Sequence, residues 1–148
     1  MQSIWPFLLP GLGLIAVWIG THFVSQPILM FRDLRGDVIH KLTLFGNVRA
    51  RSKEPREEAW SVPEEIKISD EDNQRLKQAE DTFRDLASQM KRFATNEPLA
   101  VLVVRCCGYD PKKASAGLIG VSNSIGTYGQ TRAWQKKTVM EALRIESI

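Results

Sequence analysis

Residues 69–96 read SDEDNQRLKQAEDTFRDLASQMKRFATN, and this stretch decides the fold. Ser69 suits a helix N-cap, and the acidic residues that follow it suit the positive end of a helix dipole. Six apolar residues then recur at alternating spacings of three and four: Leu76, Ala79, Phe83, Leu86, Met90 and Phe93. Because this spacing is a seven-residue repeat, the sequence predicts a long helix over residues 70–95 with one apolar face.

That apolar face has to be covered by other apolar side chains. We identify the six heptad residues as interaction residues, because a partner helix in a coiled coil would bind there. Two and a half repeats are short for an independent coiled coil, however, and further apolar segments follow in the chain. Packing of the heptad face within the chain, as in a helical bundle, is therefore favoured over pairing with a second chain.

Three further helices are predicted downstream, over residues 97–107, 111–125 and 131–145. Each begins next to a capping residue, and the first two carry a proline in the first turn. The run LAVLVVRCC at residues 99–107 also suits a buried strand, but no second strand-like run is present to pair with it. The domain at residues 70–148 is therefore predicted to be a small all-α bundle.

Residues 27–46, upstream of the heptad, show a second amphipathic pattern. Apolar side chains from Ile28 to Phe45 recur every three or four residues, and charged residues lie mostly on the other face. Such a juxtamembrane helix either lies along a membrane surface or docks its apolar face on a protein domain, and the sequence does not distinguish the two. Residues 47–69 contain prolines and acidic pairs without a sustained apolar period, which is typical of a linker.

Residues 4–26 are predicted to form a single transmembrane helix. No Lys, Arg, Asp or Glu precedes Arg32, and the segment has the roughly 20 apolar residues that cross a bilayer. A cleaved signal peptide is the alternative, but the segment lacks a basic start and a small-residue cleavage site. Basic residues follow the span and none precedes it. The N-terminus is therefore expected outside the cell membrane and the C-terminal domain in the cytoplasm.

Seven aromatic, histidine or basic residues are predicted to lie at the membrane interface: Trp5, Trp18, His22, Arg32, Arg35, Lys136 and Lys137. The two lysines are included because of the charge pattern. Residues 32–53 and 111–148 each contain six basic and two acidic residues, whereas residues 54–110 contain eight basic and thirteen acidic ones. Both basic ends are expected to approach anionic headgroups, and the alternative is that they are ordinary solvated helix faces. Nucleic acid is not expected as a partner, because the chain is tethered and few aromatic residues accompany the basic ones.

The sequence contains no recognisable constellation for catalysis. Its two histidines, His22 and His40, are remote from the polar run at residues 122–124, so a serine nucleophile has no base. Cys106 and Cys107 are adjacent, which does not match the spacing of zinc ligands, and they are expected to be buried free thiols. No glycine-rich loop has the strand and the lysine of a phosphate site. We therefore expect no catalytic residue, no metal and no cofactor.

The function classes that fit these observations are non-enzymatic. The span and the heptad together favour a membrane-anchored scaffold or adaptor that oligomerises or recruits a protein partner at the cytoplasmic face. The alternative is a small oligomeric channel or membrane effector whose transmembrane helices line a pore, with His22 near its mouth. The expected partners are the lipid bilayer and either further copies of the chain or another protein.

Overall fold

The heptad stretch forms the longest of five α-helices in the part of the chain that the computed structural model describes. That part comprises residues 13, 15, 17–18, 20–48, 52–53 and 69–146. The helices are α1 (Gln26–Leu44), α2 (Asp70–Asn96), α3 (Pro98–Cys106), α4 (Pro111–Ser124) and α5 (Gln130–Ala142). Two short strands, β1 (Ser52–Lys53) and β2 (Thr127–Tyr128), pair in parallel with Ser52 opposite Thr127. The prediction of an all-α fold is confirmed.

Local sequence sets the helix starts. The hydroxyl of Ser69 accepts a hydrogen bond from the amide of Asp72 at 3.1 Å, and the carboxylate of Asp110 accepts one from the amide of Lys113 at 3.0 Å. These caps satisfy amide donors that the first turn of a helix leaves without a partner. The four helices predicted downstream of the linker lie where the sequence placed them, to within three residues at each end.

The heptad face of α2 is the centre of the hydrophobic core. Its six residues are at most 5% exposed. Helix α4 packs along α2, α5 packs on α4, and α1 covers a further part of α2. Packing within the chain is thus the observed arrangement. The heptad residues are not accessible as interaction residues in this structure, because the apolar faces of α1 and α4 cover them.

Helix α1 docks its apolar face on the domain. Four of its buried side chains, Phe31, Leu34, Val38 and Leu42, lie on one face. Phe31 stacks on Phe93 of α2 with ring centroids 5.3 Å apart, and it meets Tyr109 at 5.4 Å with the rings steeply inclined. Both arrangements are favourable for aromatic pairs. Of the two possibilities for this helix, docking on the domain is the one observed.

Helix α4 contacts neighbours on two sides through small residues. Ser115 donates a hydrogen bond to the carbonyl of Ala87 at 3.0 Å, and Ser122 donates one to the carbonyl of Glu80 at 2.9 Å, so both serines join α4 to α2. On the side of α5, a Cβ at Gly117 would lie 2.7 Å from Cγ2 of Val139. Helices α4 and α5 therefore approach each other closely at Gly117.

The chain enters α1 from a helical segment. Every described residue from Gly13 to Leu44 is helical, with a single π-turn at Thr21–Ser25 that contacts α3. In the part of the chain described above, no helix is both long enough and apolar enough to cross a bilayer. Much of the predicted span at 4–26, including Trp5, lies outside the described residues, as does most of the predicted linker at 47–69.

Candidate functional site

Exposed apolar side chains are concentrated at one end of the molecule. Among the described residues, the exposed large hydrophobic side chains are Ile15, Val17, Trp18, Phe23, Leu29, Met30, Leu44, Leu99, Leu102, Ile119 and Trp134. Eight of these eleven belong either to residues 15–30 or to α3, which contacts the π-turn. Protein surfaces normally carry such residues singly, so this grouping indicates an interaction surface. We call residues 15–30 together with α3 the apolar end.

Aromatic side chains contact one another on the outside of the N-terminal segment. The ring of His22 stacks on Trp18 with centroids 4.8 Å apart, and its Nδ1 lies 3.2 Å from the Trp18 carbonyl oxygen. Phe23 meets Trp18 edge-on, and all three side chains are exposed. Rings that combine an apolar body with a polar atom are favoured at the boundary between bilayer and water. This arrangement suits the interface role predicted for Trp18 and His22.

Helix α3 is the most apolar of the five helices, yet its outer face is exposed in the part of the chain that the structure describes. Ala100, Val101 and Val104 are buried against the domain. Leu99 and Leu102 are 55% and 64% exposed on the opposite side. A helix with apolar residues on opposite sides is normally buried on both. The exposed leucines of α3 therefore indicate that its outer face contacts something outside the domain.

Arg35, predicted at the membrane interface, is half-buried and binds backbone carbonyls of the domain. Its Nε donates to the carbonyl of Leu143 at 2.9 Å, and a terminal guanidinium nitrogen donates to the carbonyl of Arg144 at 3.1 Å. The guanidinium carbon also lies 5.7 Å from the ring centroid of Tyr109. Arg35 thus satisfies carbonyl groups that the C-terminal end of α5 leaves without a partner, and it joins α1 to α5.

Two further arginines make the same kind of connection. Arg144 donates to the carbonyl of Cys107 at 3.0 Å, just beyond α3. Arg132 donates to the carbonyls of Phe45 and Val48 at 3.3 and 3.2 Å, just beyond α1. Positive charge at a helix C-terminus is stabilised by the helix dipole as well as by the hydrogen bonds. The arginines therefore connect the ends of α1, α3 and α5 through hydrogen bonds.

The two lysines predicted at the interface lie far from the apolar end. Lys136 lines a small cavity of about 40 Å³ with Leu42, Phe45 and Gly46 at the C-terminal end of α1. Because an α-helix rises 1.5 Å per residue, Leu42 lies about 24 Å along α1 from its first residue. The structure does not bring Lys136 and Lys137 together with Trp18 and His22. Arg32, by contrast, is exposed within the first two turns of α1.

The cysteines and the serine considered as metal ligands or as a nucleophile are not brought together in a reactive site within the described residues. Cys106 and Cys107 are exposed free thiols, so the expectation of buried thiols is wrong: α3 turns its valines, not its cysteines, toward the core. Ser124 donates to the carbonyl of Gly120 at 2.7 Å within its own helix. In the described ranges, no group of three or more His, Cys, Asp or Glu side chains is placed to hold a metal ion.

A groove of about 360 Å³ lies between α1 and the C-terminal half of α2. It is lined by Met30, Leu34, Asp85, Gln89, Arg92, Phe93, Asn96 and Glu97. Leu34 and Phe93 are buried beneath it, and the charged and amide side chains around them are exposed or half-buried. An apolar base with polar surroundings is typical of protein-binding surfaces. The groove cannot be recognised from the sequence alone, because it combines residues from two separate helices.

Comparison with known proteins supplies no relative from which a function can be transferred. A scan against protein-family models and searches of the curated proteins and of the solved structures found no match for this chain. The fold and the surface define a helical domain preceded by an exposed apolar helical segment. Its function has to be argued from these surfaces.

Proposed function

We propose that the protein is a membrane-anchored scaffold or adaptor. In this proposal the segment at residues 4–26 crosses the cell membrane with its N-terminus outside, and the helical domain presents a binding surface on the cytoplasmic side. The observation that carries the proposal is continuity. Residues 20–44 are helical without a break, and the described residues 13, 15, 17 and 18 that precede them are also helical, so exposed apolar residues lead into α1.

The exposed side chains of that segment favour a lipid environment. Ile15 and Val17 are 57% and 68% exposed. Removing a side chain of this size completely from water stabilises a structure by about 1.5–3 kcal/mol. A helix also satisfies its backbone hydrogen bonds internally, as the hydrocarbon core requires. The same segment in water would leave this apolar surface uncovered.

The connection between anchor and domain supports a scaffold role. Helix α1 is part of the core. Arg35 of α1 binds the carbonyls that follow α5, and Arg132 of α5 binds the carbonyls that follow α1. An anchor joined in this way fixes the orientation of the domain relative to the bilayer. The groove includes Met30, about 6 Å along α1 from its start, so a protein bound there would be positioned close to the membrane.

Membrane insertion is tested with charges placed in the apolar segment. We expect the full-length chain to float with membranes and to resist alkaline carbonate extraction. Replacing Ile15 and Val17 together by lysine should abolish both properties, because each lysine costs about 2.5–3.5 kcal/mol at the centre of a transmembrane helix. The matched control replaces Ile119 and Trp134, two exposed apolar residues of the domain, by lysine and should leave both unchanged. Membrane retention of the Ile15→Lys/Val17→Lys chain would contradict the proposal.

Recruitment is tested at the groove with a photo-crosslinking residue in intact membranes. Gln89 lies in the groove and is exposed, and Gln78 is an exposed glutamine on the same helix that does not line it. We expect a cross-link from position 89, either to a second copy or to another protein, and none from position 78. Equal yields from both positions, or no product from position 89, would count against the groove as the recruiting surface.

A further inference from the structure

We propose that α3 is a second membrane contact, an interfacial helix that lies in the plane of the cytoplasmic leaflet beside the anchor. This inference rests on the proposed function, since it takes the bilayer to be where the N-terminal segment places it. The occupant of the uncovered face is the interface of the bilayer itself, formed by phospholipid headgroups and the upper part of the acyl chains.

The position of α3 supports this assignment. The helix contacts the π-turn Thr21–Ser25, which begins three residues after the exposed Trp18. Glu97, immediately before α3, shares the groove with Met30 of α1. Tyr109, shortly after α3, contacts Phe31 of α1. Both ends of α3 therefore lie at nearly the same height on α1, and α3 crosses the apolar end rather than pointing away from it.

The chemistry of the outer face fits a bilayer interface. Leu99, Leu102 and Cys106 follow one another at spacings of three and four, which places them on one side of the helix. Arg105 is the single charged residue of α3, and it is exposed. Interfacial helices combine an apolar face that enters the acyl boundary with basic side chains that reach the headgroups. The absence of an acidic residue from α3 suits anionic lipid.

The two cysteines of the chain provide the probe. Cys107→Ser leaves Cys106 as the one thiol. It lies on the outer face of α3 and can be labelled with an environment-sensitive fluorophore. The full-length chain is reconstituted in phosphatidylcholine and phosphatidylserine vesicles that contain nitroxide-labelled lipid. The matched control is Ile119→Cys in a chain with both native cysteines replaced by serine. Ile119 is exposed, and the bonds of Ser115 and Ser122 place its part of α4 beside residues 80–87 of α2, away from the apolar end.

We expect the nitroxide to quench the label on Cys106, with a blue shift of its emission, and to leave the label at position 119 unquenched. Replacing Leu99 and Leu102 together by aspartate should abolish the quenching. The chain should still float and keep its circular dichroism, because both side chains are exposed. Replacing the same two leucines by methionine should retain the quenching.

The outcomes separate this inference from the proposed function. If the chain floats but the label on Cys106 is not quenched, the proposed contact between α3 and the bilayer is refuted. The proposed membrane anchor is then still supported. Disulfide formation between Cys106 residues of two chains in the membrane would then identify a second copy as the cover of α3. If the chain does not float, the anchor and the interfacial helix are both refuted.

Discussion

Three glycines in helix interiors test how closely α4 packs against α5, because they differ in what surrounds them. A Cβ added at Gly36 of α1 would meet no atom within 4 Å. At Gly120 of α4 the three nearest atoms would all belong to the side chain of Gln135. At Gly117 it would lie 2.7 Å from Cγ2 of Val139 and 3.3 Å from the backbone nitrogen of that residue. Each of the three glycines is replaced by alanine in a separate variant.

The expected free energies of unfolding follow from these surroundings. Alanine is favoured over glycine inside a helix by about 0.5–1 kcal/mol, so Gly36→Ala should be stabilising by that amount. Gly120→Ala should be close to neutral, since a changed rotamer of the half-buried Gln135 costs about 0.5–1.5 kcal/mol. Val139 is completely buried and has a stiff branched side chain. Overpacking costs about 1–3 kcal/mol, so Gly117→Ala should be destabilising overall.

The assay is urea unfolding of the full-length chain in detergent micelles, followed by far-ultraviolet circular dichroism. We expect the order Gly36→Ala, then Gly120→Ala, then Gly117→Ala from the most to the least stable. Combining Gly117→Ala with Val139→Ala should cost less than the sum of the two single changes, because the second substitution removes the overlap. A Gly117→Ala chain as stable as Gly36→Ala would refute the close packing of α4 on α5.

Two further predictions concern the helix ends, and the same unfolding assay measures both. Arg35→Lys keeps the charge but loses the fork that reaches the carbonyls of Leu143 and Arg144. It should therefore lower the free energy of unfolding by about 1–3 kcal/mol, whereas Arg32→Lys, an exposed change on the same helix, should alter it by less than about 0.5 kcal/mol. Gly108→Ala should lower the same quantity by about 1–2 kcal/mol, because Gly108 has a φ of 86° and its added Cβ would lie 2.9 Å from a guanidinium nitrogen of Arg144. An unchanged stability in either variant would mean that the corresponding contact contributes little.

The features that the sequence predicted well are local ones. The spacing from Leu76 to Phe93 and the caps at Ser69 and Asp110 involve residues that are close in the chain, so they identify helices without knowledge of the fold. Intramolecular packing of the heptad and docking of α1 stayed open, because both depend on which distant face is complementary.

The features that the sequence did not predict depend on tertiary placement. Arg35 and Leu143 are 108 positions apart, and nothing local indicates that one caps the carbonyl of the other. The cysteines at the end of α3 were expected inside because their segment is apolar. Only one side of that helix fits against the domain, so Cys106 and Cys107 are exposed.

The distribution of charge gives a last prediction, which separates two ways of contacting lipid. Arg35, Arg132 and Arg144 bind carbonyls at helix ends, and Lys113 pairs with Glu141 at 3.2 Å. A count of basic residues therefore overstates the number of side chains that can reach lipid headgroups.

At the apolar end, contact with the bilayer would depend mainly on buried apolar area, which salt does not screen. Raising sodium chloride so that the Debye length falls from about 10 Å to about 3 Å should therefore leave the quenching of the Cys106 label unchanged. A contact made by Lys136 and Lys137 would be lost under the same conditions, and a label at position 133, beside those lysines, reports it. Salt-sensitive quenching at position 133 together with none at Cys106 would show that the basic helix α5, and not α3, approaches the membrane.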